Sequence, residues 1–176
     1  MATTFSDIKN LLDSLGKRYF ADEERDMLLL PCNCGGNCVH VVLALQLDEN
    51  FLQLRSQDLP SIDRDHKFAQ AILEELMSFN YQTRFIKIGR DPSDSEVLAF
   101  GDVWIEDGEL TAKQLGRALS NFATGVADVQ DRLAQTMATG QTSRDRECDE
   151  FLKACVAENE AGIAAEGQHD TQAEAA

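Results

Sequence analysis

Apolar residues recur along this chain with two different periods. Phe5, Ile8, Leu12, Leu15 and Tyr19 are spaced 3, 4, 3 and 4 apart, the signature of an amphipathic helix. Thr4 is placed to cap that helix and Asp7 lies in its first turn. Gly16 supplies a left-handed stop, which leaves Tyr19 in the connection. Past the acidic turn Asp22-Glu23-Glu24 the period falls to that of a strand. Met27 to Pro31 reads as a short strand, and Val39, Val41, Leu43, Leu45 and Leu47 alternate as a strand with one buried face. Asp48-Glu49-Asn50 is a turn, and Phe51 to Arg55 closes a three-stranded antiparallel meander.

The helical period returns after Pro60. Ser61 or Asp63 is expected to cap a second helix, with His66 in its first turn as a surface residue. Phe68, Ile72, Leu76 and Phe79 form its buried face, with Ala69 and Leu73 beside it and Glu74, Glu75 and Ser78 elsewhere. Thr83 to Ile88 and Val97 to Ile105 are predicted strands flanking a polar loop with Pro92. Trp104 alternates with Val103 and Ile105 and is expected to pack beneath a helix. Thr111 and Gln114 write a capping box, and Leu110 with Leu115 a hydrophobic staple, at the start of a long third helix. Its stripe is Leu115, Leu119, Phe122, Val126, Val129 and Leu133, and Gly116 and Gly125 permit close approach by a neighbour. The stripe is roughly 27 Å long at 1.5 Å per residue, and a five-stranded sheet, about 24 Å across, just covers it if the helix crosses the strands but not if it runs along them. Leu119, Phe122, Val126, Val129 and Leu133 are therefore candidate partner-binding residues, with the last three expected to overhang the sheet and meet a second copy; simple core packing is the alternative.

Composition narrows the function classes. The chain has 176 residues, enough for one domain and some excess, and 43% of them are hydrophobic, enough for a core. No apolar run approaches the roughly 18 residues of a membrane span, and no signal-peptide pattern opens the chain, so a soluble cytoplasmic protein without a membrane role is expected. With 31 acidic against 16 basic residues the formal charge is −15, which repels phosphate backbones and argues against nucleic acid as a partner. Residues 1–140 are expected to form the domain. Residues 141–176 are read as a short helix through Cys148, Phe151, Leu152, Cys155 and Val156, followed by a disordered, Ala- and Glu-rich acidic tail.

The candidate chemistry is confined to Cys32-Asn33-Cys34-Gly35-Gly36-Asn37-Cys38-Val39-His40. If Gly35-Gly36-Asn37 is a three-residue loop, Cys34 lies opposite Cys38 and Cys32 opposite His40, all on the face turned away from the core. Three thiols and an imidazole complete a zinc tetrahedron, although the C-x-C-x3-C-x-H spacing is not that of a zinc knuckle. The alternatives are a redox pair of Cys34 and Cys38, or small side chains at a hairpin tip. No phosphate loop, G-x-S-x-G, H-E-x-x-H or paired Cys–His nucleophile pattern is present, so neither a catalytic residue nor a cofactor site is assigned.

The order helix, three strands, helix, two strands, helix, together with FNYQTRFIKIGRDPSDSEVLAFGDVWI and GELTAKQLGRALSNF, resembles the YbjN-type family. The likeness includes Phe79-Asn80-Tyr81 before a strand and Leu110-Thr111 before the long helix. It implies an α+β fold like that of type III secretion chaperones, α-βββ-α-ββ-α, with an antiparallel sheet packed by helices. It further implies a non-enzymatic, chaperone-like or regulatory module, a homodimer, that holds client protein segments on apolar surface. The cysteine hairpin and the tail depart from the family pattern and keep a zinc-binding regulatory protein, or an enzyme of unfamiliar type, as alternatives.

Overall fold

A computed structural model describes residues 3–46, 51–105, 108–154 and 156–157. The expected turn at Asp48-Glu49-Asn50, the Cys155 side chain and the tail from Glu158 onward lie outside them. The elements are α1 (Phe5–Ser14), β1 (Phe20–Asp22), β2 (Met27–Cys34), β3 (Asn37–Gln46), β4 (Phe51–Ser56), α2 (Ala69–Gln82), β5 (Lys87–Arg90), β6 (Val97–Trp104) and α3 (Ala112–Thr139). A further helix, α4, spans residues 143–154. The strands form one antiparallel sheet in the order β1-β2-β3-β4-β6-β5. The α+β fold is the one expected, with one strand more than the pattern gave: β1 is three residues long, too short for a period to register.

Local chemistry sets the element boundaries. At α1, Thr4 and Asp7 make a reciprocal capping box and Gly16 takes φ +63° beyond the last turn. At α3, Thr111 and Gln114 do the same, and buried Leu110 and Leu115 place the staple. The expected cap of α2 is corrected. Ile62 is buried, its N–H donates to the Ser95 carbonyl and its carbonyl accepts from Arg90 Nε at 2.8 Å, so this segment is pinned to the β5–β6 hairpin. The helix starts only at Ala69, without a side-chain cap. The strand expected from Thr83 also starts late, at Lys87. The Thr83 hydroxyl lies 2.9 Å from the carbonyls of Phe79 and Ile86, which ends α2 and turns the chain instead. Asn80 then accepts from the Ile88 N–H at 2.8 Å and donates to its carbonyl at 3.0 Å. A side-chain amide thus occupies the outward hydrogen-bonding groups of an edge strand, which blunts that edge.

The three main helices lie on one face of the sheet. Ile8 and Leu12 of α1, Ile72 and Phe79 of α2, and the α3 stripe close over Leu28, Leu30, Val39, Val41, Leu43, Leu52 and Leu54. Thr3 and the turn into α4 both join this helical layer. The Leu110 N–H donates to the Thr3 hydroxyl at 3.3 Å, and Gly140, with φ +79°, turns the chain from α3 into α4 beside the Phe68 ring.

One expectation about α2 fails informatively. Glu75, placed off the buried face by its spacing, is fully buried. Its carboxylate accepts from the Ser143 N–H and from the Ser143 hydroxyl at 2.7 Å, and Arg132 of α3 lies 3.7 Å away. It is the latch for the first turn of α4, whose negative end complements the helix N-terminus.

Candidate protein-binding surface

The five residues expected to meet a partner do not form a surface. Leu119, Phe122, Val126, Val129 and Leu133 are each 2% exposed or less, within the core of the single chain. The reasoning from sheet width failed because β2 and β3 run 8 and 10 residues and carry their hairpin far under the helix. At that tip the Asn37 amide donates to Asp131 at 3.1 Å, and α2 shelters the rest of the stripe. Gly125 does allow close approach: a Cβ there would fall 2.1 Å from Ile86 Cδ1.

The hairpin register corrects the metal site. Gly35 and Gly36, at φ +58° and +94°, make a two-residue turn, the kind whose twist matches the flanking strands. Cys34 therefore pairs with Asn37, Asn33 with Cys38, Cys32 with Val39 and Pro31 with His40. One residue of register moves side chains to the opposite face. Cys32 and Cys34 pack against the core, and burial raises the Cys32 thiol above its ordinary pKa. Cys38 and His40 lie on the outer face, so neither the zinc tetrad nor the Cys34–Cys38 pair assembles.

That outer face holds the apolar surface that sequence reasoning missed. Among the described residues no helix packs on it. Cross-strand partners Phe20, Leu29, Val42, Arg55, Phe100 and Lys87 line up in one row across all six strands. At roughly 4.8 Å per strand the row is about 24 Å long. Phe20 is 72% exposed and Leu29 is also exposed. Trp104, expected beneath a helix, is instead 66% exposed on this face, tilted against Phe51 with ring centroids 5.2 Å apart. The polar pair Gln53–Asp102, in which the Gln53 amide donates at 2.9 Å, separates them from the first row. Gly89 leaves room for the Phe100 ring, since a Cβ there would stand 3.3 Å from it. The signal was available: Phe20 falls one strand step from Asp22, and Phe100 shares Trp104's parity. A second exposed stripe, Leu73, Met77 and Tyr81, follows the helical period along α2.

A six-stranded antiparallel sheet with helices on one face and an open opposite face, in this element order, belongs with the type III secretion chaperone-like α+β folds. The family model of YbjN, described as "Putative bacterial sensory transduction regulator", matches residues 4–135. The chain belongs to the YbjN family. The crystal structure of YbjN from E. coli superposes with a TM-score of 0.59 at 14% identity, covering 77% of this chain and 95% of that one. The HopA1–SchA chaperone–effector complex gives 0.53 at 15% identity, covering 72% and 94%. The ExsC–ExsE complex gives 0.51 at 17% identity, covering 74% and 93%. At these identities the likeness establishes the fold. No curated protein matches the sequence.

Proposed function

We propose that the protein is a non-enzymatic binding module, chaperone-like or regulatory, that holds an extended apolar segment of a partner protein across the open sheet face. The observation that carries this is the row Phe20–Leu29–Val42–Arg55–Phe100, with Trp104 further along β6: exposed Phe20, Leu29 and Trp104 and half-buried Val42 and Phe100 share the uncovered sheet face, interrupted by the Arg55 charge, and apolar surface of this kind marks interaction sites. Two proteins of similar fold were solved in complex with a partner, one of them a chaperone with its effector. The formal charge of −15 favours a partner segment with basic flanks. Residues 1–140 are the binding unit in this reading, and the cytoplasm is its setting; among the described residues no helix is long and apolar enough to cross a membrane.

The test uses phage-displayed peptides selected on the wild-type protein, with the enriched sequence then synthesised. Trp104 is the only tryptophan, so a peptide on this face should shift its emission to the blue and shield it from acrylamide. Leu29→Arg should abolish binding while the circular dichroism is unchanged, and Met77→Ser on α2 should not. Equal binding by Leu29→Arg, or an unaltered Trp104 signal, refutes the site. The expected homodimer has a separate surface in the α2 stripe: Met77→Asp should give a folded monomer by light scattering, and a monomeric wild type refutes the dimer.

A further inference from the structure

We infer that Cys38 is a hydroperoxide-reactive thiol, activated by His40 and positioned by Asp58, a site that stands whether or not the sheet face takes a partner. Cys38 and His40 are neighbours on the outer face of β3, and Cys38 Sγ lies 4.0 Å from His40 Nε2. On the opposite edge of the ring, His40 Nδ1 is 3.1 Å from Asp58 Oδ1. Asp58 is held from several sides. Its Oδ2 accepts from the His40 backbone N–H and from the Ser56 hydroxyl at 3.2 Å, its own N–H donates to that hydroxyl, and its carbonyl accepts from Gln130 of α3 at 3.0 Å. A carboxylate held by three donors cannot swing away. It accepts the hydrogen bond of the His40 Nδ1–H, which fixes the tautomer and leaves the Nε2 lone pair toward the thiol. An open groove of about 650 Å³ runs past the sulfur, walled by Asn37, Asp58, Leu59, Pro60 and Gln130.

The arrangement selects among the reactions of thiols. It is not a metal site, because thiol and carboxylate address opposite edges of the imidazole and cannot share one ion with it. Acyl transfer needs donors converging on an oxyanion, whereas the Asn37 and Gln130 amides are tied toward Asp131 and the Asp58 carbonyl. Reduction of a hydroperoxide needs only a thiolate and a proton for the leaving oxygen. His40 takes the Cys38 proton; the thiolate attacks the terminal oxygen of R–O–O–H; an S–O bond forms and the O–O bond breaks. The departing R–O⁻ recovers the proton from Nε2 as R–OH. Sulfur is oxidised by two electrons to the sulfenic acid and the peroxide is reduced by two. A small neutral oxidant suits a groove bordered by Asp58 and Asp131 better than an anionic disulfide. Cys32 and Cys34 face the core, so the sulfenic acid is not resolved by either and is reversed by an external thiol.

Cys148, exposed on α4, serves as an internal reference. The reduced full-length protein is treated with hydrogen peroxide and trapped with a dimedone-type reagent, and labelling at each cysteine is read by peptide mass spectrometry. With the His40 imidazole beside its sulfur to take the proton, Cys38 should label at least about tenfold faster than Cys148. His40→Gln should bring the two rates together. Asp58→Asn should move the pH profile of Cys38 alkylation by iodoacetamide upward while Cys148 stays put. Equal rates at the two cysteines in the wild type overturn the inference, as does a Cys38 rate indifferent to His40→Gln.

Discussion

Replacing Glu75 by alanine isolates the latch that holds α4. The carboxylate is fully buried and takes two hydrogen bonds from Ser143, with Arg132 alongside. Hydrogen bonds to a charged group contribute about 1.5–3 kcal/mol each. Part of that returns on substitution, since Ser143 is not buried and regains water, and Arg132 keeps its ion pair with Asp128 at 3.0 Å. The net loss should be about 2 kcal/mol, or roughly a thirtyfold shift in the docking equilibrium of α4. A helix this short is marginal in isolation. Its described contacts to the body gather in its first turn, while Phe151, Leu152 and Val156 are exposed. Hydrogen exchange on Glu75→Ala should therefore show residues 143–154 losing protection while β3 and α3 keep theirs. Glu75→Gln, which retains an acceptor for Ser143, should fall between. Unchanged protection of α4 in Glu75→Ala would refute the latch, and collapse of the whole domain would mean that Glu75 serves the core instead.

Further outcomes follow from the same contacts. Val129→Glu puts a carboxylate where a fully buried side chain sits and should cost more than about 4 kcal/mol, leaving no urea-resistant fold; a stable variant would restore the overhang that the structure removes. Asn80→Ala strands the Ile88 N–H and carbonyl at the sheet edge and should lower the urea midpoint by an amount worth about 1–3 kcal/mol. Gly140→Ala meets both a left-handed φ and the Phe68 ring, 2.6 Å from the new Cβ, and should cost at least about 1 kcal/mol by thermal melting. The Thr142 hydroxyl and N–H donate to Asp145 and hold its carboxyl below the ordinary 3.8. Its contribution to α4 is thus fully present above that value and lost as pH falls through the lower folded one, so protection of α4 should be flat from neutrality to about pH 4 and decline below it.

The parts of the fold written in short-range chemistry were legible from residues alone. The capping boxes at Thr4 and Thr111, the stop at Gly16 and the alternation of Val39, Val41 and Leu43 each depend on neighbours a few positions away. What failed depended on one residue of register or on distant partners. A single choice between a two- and a three-residue turn at Gly35 moved Cys38 and His40 to a different face from Cys32 and Cys34. Glu75 reads as surface until Ser143, far along the chain, arrives to accept it into the interior. The row from Phe20 to Phe100 is drawn from every strand but β5, and no window of sequence contains it. The Cys–His pattern was absent as a sequence motif because its third member, Asp58, comes from the connection after β4.

Because Thr3 and the first turn of α4 both join the helical layer, a tether attached at Thr3 or at that first turn sits on the side opposite the open sheet. Immobilising the protein through such a tether leaves Trp104 and the row beside it pointing away from the support. A fusion partner added there acts as a counterweight rather than a cap. The same disposition lets two such domains be joined in series with both open sheet faces turned outward, without redesigning either sheet.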